Sequence, residues 1–67
     1  MTKEEIIQEL KKGTKVQHRF FLHEEFMFQP DNRVEVYEFE DGVLIDAEDF
    51  WKDRNTEYWE RDWKIFN

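Results

Sequence analysis

The sequence predicts an α+β domain, an N-terminal helix packed on a four- to five-stranded antiparallel sheet with a short second helix. Three observations carry that expectation. Ile6, Ile7 and Leu10 recur at helical spacing, the apolar period switches to two from Thr14 onward, and Asp41-Gly42 separates two apolar runs in the manner of a hairpin turn.

Thr2-Lys3-Glu4-Glu5 reads as a capping box, in which the Thr2 hydroxyl accepts from the Glu5 amide and the Glu5 carboxylate reaches back. Acidic residues fill the first turn, Lys11-Lys12 the last, and Gly13 follows as a natural helix stop, so the helix spans about residues 3–12. Over Thr14–Leu22, Val16, His18, Phe20 and Leu22 share one face of a strand. Glu25–Gln29 is a second strand, with Phe26 and Phe28 on one side and Met27 opposite, and His23-Glu24 is the short connection. Pro30-Asp31-Asn32 is a turn, because proline presets φ and Asp and Asn bond their own backbone.

The third strand runs about Arg33 to Glu40, and neither of its faces is uniformly apolar: a bulge shifts the phase, or both faces meet water. A type I′ turn at Asp41-Gly42 leads into a short fourth strand, Val43 to Ile45. Asp46 is placed as N-cap of a helix over about Ala47–Arg54, with Glu48 and Asp49 in its first turn. Glu57 to Arg61 is ambiguous between loop and helical turn. Asp62–Phe66 is a last strand alternating Trp63/Ile65 with Lys64/Phe66. No repeat or linker divides the chain, and residues 1–67 form one domain.

Sixty-seven residues without cysteine hold one small core and no disulfide. Seven Phe, three Trp and two Tyr compensate, each able to bury ~150–250 Å². Dimerisation is a further route, which leaves a homo-oligomer open. The N-terminus lacks the apolar run of a secretory signal and no window suits a membrane span, so the expected setting is soluble and cytoplasmic, with no membrane partner.

The net charge of −7 is uneven. Residues 1–22 carry five basic and three acidic side chains, net +2, whereas residues 23–67 carry five basic and fourteen acidic, net −9. Direct nucleic-acid binding needs the opposite balance. From Glu35 to Asp49 there are seven carboxylates and no basic side chain. The bland reading is a solvated face; the sharper one is a docking surface for a basic partner.

Catalytic signatures are lacking. There is no cysteine or serine, the threonines lack a His/Asp pattern, and His18 on an apolar face reads as a satisfied core residue. No enzyme and no cofactor is expected. Val43-Leu44-Ile45 occupies the middle of the acidic stretch where a calcium loop needs ligands, so no metal site is expected. Trp51, Tyr58, Trp59, Trp63 and Phe66 gather late in the chain; most supply core, while one or two exposed ones would anchor a partner or stack a base.

Leu10-Lys11-Lys12-Gly13, the strand from Val16 to Phe21 and the closing Asp62-Trp63-Lys64-Ile65 are similar in order to small phage-encoded accessory proteins. The beginning and end also resemble those of the Thoeris anti-defence nucleotide sponge, a longer family that sequesters cyclic nucleotide signals as an oligomer. The likeness covers about a third of the chain and lacks much of that family's middle, so no ligand pocket carries over. It implies a phage counter-defence protein acting in the host cytoplasm.

Two function classes follow. The first is an inhibitor or modulator of a host protein with a basic surface, binding through Glu38, Glu40, Asp41, Asp46, Glu48 and Asp49 with Trp51, Tyr58 and Trp59 as anchors. The alternative is a nucleotide-sequestering module in which aromatics stack a base and Lys15, His18 or Arg19 holds phosphate. The first uses the charge that is plentiful and ranks ahead.

Overall fold

A computed structural model describes all residues, 1–67. The chain runs α1 (Lys3–Lys11), β1 (Val16–His18), β2 (Met27–Phe28), β3 (Val36–Phe39), β4 (Leu44–Asp46), α2 (Ala47–Lys52), a 3₁₀ turn (Glu57–Trp59) and β5 (Trp63–Ile65). The five strands form one antiparallel sheet in the order β4-β3-β2-β1-β5. Both helices pack on the same face of it, so the α+β expectation holds. No helix is long and apolar enough to cross a membrane.

The first helix forms as its sequence dictates. The Glu5 amide donates to Thr2 Oγ1 at 3.2 Å and the Thr2 amide to Glu5 Oε1 at 2.9 Å, completing the capping box. At the other end Gly13 adopts φ +82°, its amide donates to Leu10 O, and the Thr14 amide donates to Glu9 O. This paired closure needs a residue in the left-handed region, which glycine occupies without strain. Ile6 and Leu10 are fully buried, whereas Ile7 is only partly so.

The strands are shorter than the apolar period suggests, and each early ending has a local cause. After His18 the Phe20 amide donates to His18 Nδ1 and the Phe21 amide to His18 O, which turns the chain. The reversal shifts the side-chain phase, so Phe21 packs on the core while Phe20 is 55% and Leu22 75% exposed. The expected shared inner face of Val16, His18, Phe20 and Leu22 is thus correct only for the first two. The connection to β2 is longer than His23-Glu24; the Gln17 side-chain nitrogen lies 3.1, 2.7 and 2.9 Å from the carbonyls of Leu22, His23 and Glu25, fastening that turn beneath the sheet.

Glu35 takes φ +58°, which interrupts the third strand and leaves Val34 exposed. Beyond it the alternation is regular, with Tyr37 and Phe39 facing the core and Val36 and Glu38 the opposite face. The hairpin that follows has a three-residue loop in place of the expected type I′ turn. The Gly42 amide donates to Phe39 O, the Phe39 amide to Val43 O, and only Gly42, at φ +89°, is left-handed. A turn over Glu40-Asp41 with glycine in the bulge position suits the twist of the flanking strands. The Val43 amide donates to Asp41 Oδ1 at 3.1 Å and fixes the loop.

The core comprises Ile6, Leu10, Val16, Met27, Tyr37, Phe50 and Trp63. Trp63 Nε1 donates to Trp59 O at 2.8 Å, and Trp51 Nε1 donates to Tyr37 Oη at 2.9 Å, so the polar end of each buried aromatic is satisfied. Burial pushes the Tyr37 hydroxyl above the usual tyrosine range, the Trp51 bond opposes that, and the Glu35 charge reinforces it.

Candidate functional site

The carboxylates that the sequence groups together separate into three sets. Glu38 and Asp46 lie on the sheet face away from the helices, by the pairings Glu38↔Leu44 and Val36↔Asp46. Glu40 and Asp41 form the β3–β4 loop, and Glu48 and Asp49 open α2. Glu40, Asp41, Glu48 and Asp49 are exposed. The molecule's two ion pairs, Lys12–Glu9 at 3.2 Å and Arg19–Asp62 at 3.8 Å, include none of the six.

Asp46 occupies the N-cap position of α2 but its side chain makes no capping hydrogen bond, contrary to the expected role. Asp46 and Asp49 instead border a shallow depression with Arg33, Val36 and Leu44. Glu48 faces the other way, beside Glu35, Lys11 and Trp51. No three His, Asp or Glu side chains converge as metal ligands would. Beside the acids, Val43 and Leu44 are 55% and 44% exposed. The β4 edge therefore carries two exposed apolar side chains, Leu44 on the face away from the helices and Val43, opposite Phe39, on the other, near carboxylates that enter no ion pair.

Of the expected anchors, Tyr58 is the exposed one, at 61%, with its ring 6.1 Å from that of Phe20. Trp51 and Trp59 are half-buried and belong mainly to the core boundary. Lys3 Nζ lies over the Trp51 ring at 4.7 Å, and the Arg54 guanidinium packs between Phe50 and Trp59, 4.2 and 5.3 Å from their centroids. Of the anchors only Trp51 adjoins one of the acids, Glu48, while Tyr58 and Trp59 pack against Phe20 and His18, so the anchors and the acids do not form one continuous surface.

His18 is 2% exposed. Its Nδ1 accepts from the Phe20 amide, so Nε2 carries the proton and donates toward Tyr58 O at 3.0 Å and Arg61 O at 2.9 Å. The ring stacks 4.2 Å from Trp59. This is a satisfied core histidine that ties β1 to the 3₁₀ turn, not a surface group. Lys15 and Arg19 are exposed, Lys15 over the Phe26 ring at 4.7 Å and Arg19 beside Asp62, and the three residues do not share a pocket.

Sequence reasoning missed the open face of the sheet. Phe26, Phe28 and Phe66 line it, with ring centroids 4.7 Å apart for Phe26–Phe66 and 6.2 Å for Phe26–Phe28. The alternation of β2 and β5 contains the signal, since Met27, Trp63 and Ile65 occupy the core side. No family model, no curated protein and no solved structure matches the chain.

Proposed function

We propose that this is a small non-enzymatic binding protein that docks on a basic surface of a host protein and inhibits or modulates it. The observation that carries the reading is the exposed set Glu40, Asp41, Glu48 and Asp49, without an ion-pair partner. Glu40, Asp41 and Asp49 lie near the exposed Val43 and Leu44, and Glu48 lies on the other side of α2. Unpaired charge of one sign steers a complementary partner, and burying Val43 and Leu44 supplies short-range affinity. The likeness to phage counter-defence proteins supports a defence protein of the host cytoplasm as the target.

Sequestration of a nucleotide signal has less support. His18, the residue that reading needs most, is buried with both nitrogens engaged by main chain. The test is a matched affinity capture from bacterial lysate with the parent and a Glu40→Gln/Glu48→Gln/Asp49→Asn variant, with the small-molecule fraction of each eluate read by mass spectrometry. A basic protein retained by the parent and lost by the variant is the expected outcome. A nucleotide retained equally by both would overturn it in favour of sequestration.

A further inference from the structure

We infer that the open face of the sheet is a self-association surface, on which a second copy of this chain stacks about a two-fold axis parallel to the strands. Leu44 pairs with Glu38 and Glu38 with Phe28. Continuing the pairings of Val16 with Met27 and Ile65 by one residue sets Lys15 between Phe28 and Phe66, and the Phe66 amide donates to Lys15 O at 2.9 Å. One row across the five strands therefore reads Leu44, Glu38, Phe28, Lys15, Phe66, all on the side away from the helices. Acid lies to one side of its centre, a base to the other, and an aromatic ring sits on the middle strand.

That row is complementary to its own reverse. A two-fold axis parallel to the strands, lying above β2 midway between the two sheets, turns the second sheet over and exchanges left for right. Phe28 then meets Phe28 of the second copy, Glu38 meets Lys15, and Leu44 meets Phe66. A two-fold axis across the strands would lay Glu38 and Asp46 of one copy over the same acidic strands of the other. Like charges brought together in a closing interface oppose association strongly, so the charge pattern selects the first arrangement. The aromatic rings supply the apolar surface: Phe26, Phe28 and Phe66 are half-buried in the monomer and in mutual contact, with Lys15 Nζ 4.7 Å over the Phe26 ring.

The neighbouring row is partly roofed, because Gln17 is covered by the Leu22–Glu25 turn. The stacking patch is therefore narrow, and the dimer dissociates on dilution. The stacked face shares Leu44 with the docking reading and is tested separately from it, since Glu38, Phe28 and Lys15, which carry the stacking, take no part in the exposed set Glu40, Asp41, Glu48 and Asp49.

Sedimentation equilibrium at low salt over a dilution series tests it, on the parent, Glu38→Gln, Glu38→Lys, Lys15→Glu and the double exchange of Glu38→Lys with Lys15→Glu. The parent should show a monomer–dimer equilibrium. Each single reversal should weaken it by ~10-fold or more, and the double exchange should restore most of the loss. A parent that stays monomeric into the millimolar range overturns the inference. Singles that weaken association without rescue by the double contradict the Glu38–Lys15 apposition, and a dimer strengthened by Glu38→Gln means that acid faces acid. A measurement free of substitutions guards against a variant that misfolds: in a mixture of isotope-labelled and unlabelled parent, intermolecular NOEs should connect the Phe28 rings and link Leu44 to Phe66. Their absence in a sample that sediments as a dimer places the interface elsewhere.

Discussion

The two helices carry acid in the same place and use it differently. In α1, Glu5 closes the capping box and Glu9 accepts from both Lys12 Nζ and Thr14 Oγ1. In α2, Asp46 makes no capping bond, and Glu48 and Asp49 enter no ion pair. Acid near a helix N-terminus favours the helix dipole in both cases. Only in α1 does the same carboxylate also satisfy orphan donors. In the first helix Glu5 and Glu9, though not Glu4, are engaged in the fold itself; Glu48 and Asp49 of the second are free to meet something else.

The largest effects should not distinguish the helices, because each is anchored by one buried apolar contact set. Leu10→Ala should cost ~2–5 kcal/mol and Phe50→Ala ~3–5 kcal/mol, from lost transfer energy and the cavity left behind. Urea unfolding of both variants checks this. An unaffected Phe50→Ala would mean that α2 is not packed on the sheet.

The contrast itself appears at the caps. Thr2→Ala removes a made hydrogen bond and should cost ~1 kcal/mol. Asp46→Ala removes none and should stay within about 0.5 kcal/mol of the parent. Equal losses in thermal melts would erase the difference between the two helices.

Titration sharpens it further. The Thr2 bonds hold the Glu5 carboxyl below the usual range, and the Lys12 and Thr14 bonds do the same for Glu9. A depressed folded-state value stabilises the fold above the ordinary carboxylate pKa, and that contribution is lost as pH falls through the folded value. Acidification should therefore loosen α1, and a Glu5→Gln/Glu9→Gln variant should show a flatter acid limb in stability against pH. Tyr37 acts at the alkaline end. Its folded-state value is raised, so its contribution is complete below the ordinary tyrosine range and lost as pH rises through the raised one. Tyr37→Phe should flatten that limb.

The smallest effect concerns the free acids. Glu48→Gln and Asp49→Asn should leave stability within about 0.5 kcal/mol of the parent, shifted upward where like-charge repulsion is relieved. A clear loss in urea midpoint would show that these carboxylates support the fold after all.

What was legible in the sequence was what local rules decide. The capping box, the Gly13 stop, the alternation of Trp63/Ile65 with Lys64/Phe66 and the core placement of His18 all follow from neighbouring residues. The strand ends did not, because side-chain–backbone bonds and one backbone angle set them: His18 Nδ1 with the Phe20 amide, the Gln17 carboxamide with three carbonyls, and the left-handed Glu35. For the candidate site, sequence proximity overstated the grouping. Glu38 and Asp46 point to one face of the sheet and Tyr37 and Ile45 to the other, and the helix start turns Glu48 and Asp49 in different directions. The row from Leu44 to Phe66 joins five strands, and no local pattern reveals it.

The most direct test of the docking surface is an association rate measured against ionic strength, with the protein captured from lysate as partner. The parent is compared with Glu40→Gln/Glu48→Gln/Asp49→Asn and with a control neutralised on α1, Glu4→Gln/Glu5→Gln. A docking surface made of free carboxylates predicts fast parent association that slows steeply as salt screens it. The triple variant should associate more slowly with a shallow salt dependence, and the α1 control should follow the parent. Equal rates and equal salt slopes for the parent and the triple variant would contradict the account, leaving the acids as a solvated face.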